Sequence, residues 1–225
     1  HTSLHQNHND RVNSAGFSVG THVFYSPDNW NGFYIAGAAN VGFDENHSKR
    51  RIAISDYRRT AKGHYTSVGA SGLAALGKDF FAGNVSFGPI VTAEYGVTRR
   101  EGFTERGGDG VNLRIKGGSE DTFATTVGGH LSGFSRTETG LRLAANLTAG
   151  WKHEFTGSGY TATASFAGYP GTAFETRTER GARDGFVIQG TASLQSPGRR
   201  VFANLTSGYA HDTGFNVGFE AGFRF

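Results

Sequence analysis

The stretch Gly214–Phe225, GFNVGFEAGFRF, carries an apolar residue at every second position: Phe215, Val217, Phe219, Ala221, Phe223 and Phe225. Asn216, Gly218, Glu220, Gly222 and Arg224 stand between them. Successive side chains point to opposite faces of a strand, so one face here is aromatic and the other carries charge and glycine. The same period of two recurs along the chain. Ala15, Phe17, Val19, Val23 and Tyr25 fall in phase within Val12–Tyr25, as do Phe33, Ile35, Ala39, Val41 and Phe43 in the next segment. Val68, Ala70, Ala74 and Leu76 mark a third, within about Tyr65–Phe81, and Val91, Ala93, Tyr95 and Val97 a fourth. Phe123, Thr125, Val127 and Leu131 define a fifth. The clearest is the sixth, where Leu141, Leu143, Ala145, Leu147, Ala149 and Trp151 alternate with Arg142, Asn146, Thr148, Lys152 and Glu154. Phe186, Ile188, Ala192 and Leu194, then Val201, Ala203, Leu205 and Tyr209, mark two more before the last. The pattern predicts about nine antiparallel strands in a meander.

The connections sort into two kinds. Short turns are expected at 26–31, 81–84, 136–140 and 196–198, and long polar loops at 45–63, 99–118 and 156–183. Tight turns on one side and long loops on the other are the pattern of a transmembrane β-barrel. The turn at 211–214 is the exception, being short on the long-loop side. A dozen residues of strict alternation also match what a tilted strand needs to cross a bilayer. The expected fold is therefore all-β, an antiparallel transmembrane barrel over 11–225. Residues 1–10 read as a flexible lead-in, and their histidines (His1, His5, His8) as a polar end rather than a metal site.

Composition narrows this further. No window approaches the ~18 apolar residues of a membrane helix, whereas lumen-facing polar residues dilute the apolar content of any barrel. The 19 Phe and 8 Tyr among 225 residues are too many for a disordered chain. The absence of cysteine rules out disulfides and thiolate metal sites and fits passage through an oxidising periplasm. A net charge of +3, spread along the chain, does not point to nucleic acid. Methionine is absent too, so the chain is read as a mature or excised fragment. Parity agrees with that. Nine strands ending inside would begin outside, yet single-chain bacterial barrels have an even count with both ends inside. An odd number of strands is expected upstream.

The ending resembles the terminal strand of bacterial outer-membrane barrels, in which a final Phe is recognised by the barrel-assembly machinery; Phe223 and Phe225 are its counterparts here. Gly150-Trp151-Lys152-His153-Glu154-Phe155, Ser165-Phe166-Ala167-Gly168, Pro170-Gly171-Thr172-Ala173-Phe174 and Gly222-Phe223-Arg224-Phe225 together resemble the autotransporter β-domain, the translocator of type V secretion. Tyr95 to Gly107 resembles that family's middle strand and loop. The resemblance implies a twelve-stranded barrel in the bacterial outer membrane, of which this chain supplies the last nine strands. It also implies a linker helix in the lumen, an N-terminal passenger carried to the cell surface, and contact with outer-membrane lipid and lipopolysaccharide. No cofactor is implied.

The polar groups expected to face the lumen are His22, Glu94, His130, Arg142, Lys152, Glu154, Glu220 and Arg224, placed to pair across it or to touch a transiting segment. Family β-domains can cut their own passenger with lumen carboxylates, but no catalytic residue is assigned here. His130-Leu131-Ser132 has the spacing of a barrel phospholipase pair, with both side chains turned to the lumen and no orienting carboxylate in register. The basic segment with Lys49, Arg50, Arg51, Arg58, Arg59 and Lys62 reads as a solvated loop, within reach of lipopolysaccharide phosphates. The alternatives are an esterase or lipase autotransporter, a barrel hydrolase, and a small pore or structural barrel.

Overall fold

The computed structural model describes residues 2–6, 10–156, 161–177, 182–197, 201–210 and 214–223; at residues 2–6, 54, 202, 204, 210, 216, 220 and 223 it describes the backbone alone. After a short β1 (Thr2–Gln6) come β2 (Asp10–Tyr25), β3 (Phe33–Ile54) and β4 (Tyr57–Lys78). Three residues form β5 (Phe80–Ala82), and β6 (Val85–Arg100) follows. Two short strands, β7 (Phe103–Thr104) and β8 (Leu113–Ile115), precede β9 (Gly118–Arg136) and β10 (Arg142–Glu154). A hairpin of β11 (Thr161–Phe166) and β12 (Tyr169–Arg177) leads to β13 (Asp184–Gln195), β14 (Val201–Ala210) and β15 (Gly214–Phe223).

The main sheet runs β1-β2-β3-β4-β6-β9-β10-β13-β14-β15, with β5 paired to β6, and every pairing in it is antiparallel. Its nine long strands are the nine that the alternation marks. Register carries each apolar phase onto the next strand. One row of cross-strand partners reads Tyr25, Ile35, Leu76, Val91, Val127, Trp151, Phe186. All seven are exposed. Burying an apolar side chain is worth about 1.5–3 kcal/mol, so this row alone would forfeit roughly 10–20 kcal/mol in water. In hydrocarbon it forfeits nothing. Phe215 and Phe219, at 71% and 74% exposure, continue the outward apolar face onto the last strand. Among the described residues the buried apolar ones are few and mostly small: Tyr34, Ile52, Ala61, Ala124 and Ala164. A soluble barrel of this size would bury far more, and among the described residues no helix is long and apolar enough to cross a membrane.

Close packing of the wall uses glycine. A Cβ on Gly77 would lie 2.2 Å from the Tyr34 hydroxyl, so the missing side chain leaves room for the Tyr34 ring to lie flat on the inner face. Gly63 does the same for Phe103, whose ring atom would be 2.3 Å away.

Three expectations are corrected. Segment 45–63 is not a loop: β3 and β4 pair without interruption from Phe33↔Lys78 to Ile54↔Tyr57, closed by the two residues Ser55 and Asp56. Each strand is 22 residues long, about twice the ~10 that a tilted strand needs to span a bilayer. The two together make an arm standing beyond the membrane. Segments 99–118 and 156–183 hold strands as well, which form a second sheet in the order β12-β11-β8-β7. Of the lead-in 1–10, Thr2–Gln6 pair with the start of β2. The 211–213 turn, Arg224 and Phe225 lie outside the described residues.

Candidate functional site

The inner face of the sheet is concave and polar. Following one row of partners inward-facing residue by residue gives His22, Ala38, Leu73, Glu94, Ala124 and Glu154. The neighbouring row carries Ala36, Ala75, Thr92, Thr126 and Lys152. Small residues on β3 and β4 keep this side open, and a cavity of about 900 Å³ lies against it. His22, Asn40, Ser71, Glu94, Thr126, Lys152 and Gln189 all line that cavity. Fold topology thus brings His22, Glu94 and Lys152 to one space, with Glu154 in register at its edge. Arg142 sits at the opposite end of β10, across from Arg136 and Gln195. Glu220 pairs through its backbone with Asn204, and its side chain, like Arg224, lies outside the described residues.

His130 has a tighter setting near the short-turn end. Its Nε2 is 2.7 Å from Asp79 Oδ1, and its Nδ1 is 3.4 Å from the Tyr34 hydroxyl. Its neighbour Ser132 bonds Ser86 at 2.7 Å instead. A carboxylate therefore does orient His130, contrary to the expectation of none, but the serine is engaged elsewhere and the pair is not a nucleophile and base. Asp79 escapes sequence reasoning because it lies between β4 and β5, 51 residues from its partner.

The surface arm is braced from the inside. Arg50 reaches Glu105 with both its Nε (3.1 Å) and a terminal nitrogen (2.5 Å), and the latter also donates to the Val111 carbonyl at 3.0 Å. Glu105 is buried and also accepts from the Leu113 amide at 2.9 Å. Its hydrogen bond raises the Arg50 guanidinium pKa above its already high ordinary value, burial working against that. Arg59 pairs with Asp109 at 2.7 Å, and that hydrogen bond raises its pKa likewise. Phe103 stacks on Tyr65 at 4.6 Å, Tyr57 donates to the Gly108 carbonyl, and Lys62 and Arg106 form a backbone bridge. Of the six cations of the basic segment, Arg50 and Arg59 are thus spent on holding β7 and its loop. Backbone alternation turns Lys49, Arg51, Arg58 and Lys62 to the outward face, above the apolar belt that ends at Phe43 and Val68.

An open apolar convex face, a polar concave face and a meander with short turns on one side define a transmembrane β-barrel protein of the outer-membrane type. The family model described as autotransporter beta-domain matches residues 1–206. The chain belongs to that family: it is an outer-membrane translocator that carries an N-terminal passenger domain to the surface of a Gram-negative cell. The translocator domain of autotransporter NalP from Neisseria meningitidis has the same fold, with a TM-score of 0.64 at 15% identity over 99% of this chain and 71% of that one. No curated protein matches the chain as a relative.

Proposed function

We propose that the charged row of the concave face is the track on which the exported segment and its linker helix run. The observation that supports this is the convergence of His22, Glu94 and Lys152 on one 900 Å³ cavity flanked by small side chains. Opposite charges there offer partners to a helix of either sign without closing the path. The barrel itself acts as anchor and conduit and carries out no catalysis; any enzymatic activity resides in the passenger. The resemblance implies a twelve-stranded barrel, and the chain spans 71% of the NalP domain. Phe223 and Phe225 serve as the signal read by the barrel-assembly machinery. The outward cations Lys49, Arg51, Arg58 and Lys62 meet lipopolysaccharide phosphates above the apolar belt.

The test is removal of both charges, Glu94→Gln with Lys152→Gln, in the full-length protein. Surface exposure of an epitope-tagged passenger, followed by protease accessibility over time, should slow several-fold. The amount of heat-modifiable folded barrel should not change. Export kinetics equal to wild type with the barrel intact would refute the track.

A further inference from the structure

We propose that Glu45, His47 and His64 form a binding site for a divalent transition-metal ion of the zinc class at the outer edge of the bilayer. His47 and His64 are direct cross-strand partners on β3 and β4, and their rings lie 4.7 Å apart. Glu45 precedes His47 by two residues and so shares its face. His64 Nε2 is already 2.8 Å from Glu45 Oε1. One donor atom from each of the three residues lies within 4.8 Å of the other two. Around zinc, with ligands at about 2.0–2.2 Å, tetrahedral geometry puts donors roughly 3.3 Å apart. Rotation of exposed side chains supplies the remaining contraction, and the paired backbones of β3 and β4 hold the three Cα positions in place.

The donor set selects the ion. Two imidazoles and one carboxylate suit Zn²⁺, Cu²⁺ or Ni²⁺, whereas Ca²⁺ and Mg²⁺ want a shell of oxygens. All three residues are exposed, so water would complete the coordination. Lys49 and Lys62, the next outward-facing pair along the arm, oppose a cation. Across water and salt their repulsion lowers the affinity several-fold without abolishing it. A micromolar site is therefore expected rather than a structural one. The site stands two residues beyond Phe43, where the apolar belt gives way to polar surface, and a bound ion would clamp the base of the surface arm.

The experiment is calorimetric titration of ZnCl₂ into the detergent-folded barrel, with Cu²⁺ electron paramagnetic resonance on the unsubstituted protein as a reading independent of any variant. One ion should bind per chain with micromolar affinity, and the Cu²⁺ spectrum should show two coordinating nitrogens. His64→Ala should weaken binding at least about tenfold, and the double variant H47A/H64A should abolish it while heat-modifiable migration stays normal. A background in which His1, His5 and His8 are replaced by alanine should bind zinc as the parent does. Zinc binding unchanged in H47A/H64A, or lost in the amino-terminal background, would overturn the proposal. So would the absence of any site tighter than millimolar.

Discussion

Replacing Glu105 with alanine removes the group on which the brace of the surface arm converges. The carboxylate accepts two bonds from Arg50 and one from the Leu113 amide. Its side chain is 5% exposed and that of Arg50 30%. Taking one partner out of a buried pair costs about 3–5 kcal/mol when the survivor stays dry. Arg50 is partly wet and keeps the Val111 carbonyl, so water recovers some of that and about 2–3 kcal/mol is the expected loss. The loss is local, because the barrel wall has its own continuous ladder and no member of the brace belongs to the membrane-spanning rows. Hydrogen exchange read by mass spectrometry separates the two regions. Amides of 103–115 should lose protection by about 30- to 150-fold, at tenfold per 1.4 kcal/mol. Peptides from β9, β10 and β13 should exchange as before. Arg50→Ala should lose at least as much, since it leaves the drier partner, the Glu105 carboxylate, with the Leu113 amide and without its cation. Protection at 103–115 changed by less than about threefold would refute the reasoning, as would a matching loss across the barrel strands.

Gly77→Val should destabilise the folded barrel by about 1–3 kcal/mol through overpacking, because its side chain would enter the space of the Tyr34 ring; urea unfolding in detergent followed by tryptophan fluorescence measures it, and a wild-type midpoint would count against the close contact. Deleting Phe225 should lower the yield of barrel assembled in cells far more than it shifts the unfolding midpoint of barrel refolded in vitro, since its proposed role lies in recognition. Equal losses in the two assays would assign it to packing alone.

Strand count and phase were readable because the bilayer enforces them. Wherever a strand crosses hydrocarbon, one face must be apolar and the other meets water or protein, so Leu143, Leu147 and Trp151 alternate cleanly with Arg142, Asn146 and Lys152. The inward phase of His22, Glu94 and Lys152 comes from the same alternation. Their convergence on one cavity does not, because it depends on which strands neighbour which and in what register. Rows such as His22–Ala38–Leu73–Glu94 join residues far apart in the chain. The Asp79–His130 contact was hidden for the same reason.

The arm was illegible for a different reason, and it shows where periodicity stops being informative. Beyond Phe43 both faces of β3 meet water or polar protein, so nothing selects apolar residues at one phase, and DENHSKRR reads as a loop. The hydrogen-bond ladder does not need that selection. Once Phe33–Phe43 and Val68–Lys78 are paired in the bilayer, each further rung adds two backbone partners at little extra loop entropy. Pairing therefore continues until Ser55 and Asp56 close it. What such an extension lacks is side-chain burial, and here that is supplied from outside the hairpin. Ala61 and Ile52 are buried at the arm, Glu105 is held by Arg50, and Phe103 lies on Gly63 and against Tyr65. The signal for the arm was therefore in the partner segment 99–118, whose acidic Glu105 and Asp109 match Arg50 and Arg59 one for one. Among the described residues Lys49, Arg51, Arg58 and Lys62 enter no ion pair, and these outward cations, with His47 and His64 beneath them, are the ones placed to meet the cell's surroundings.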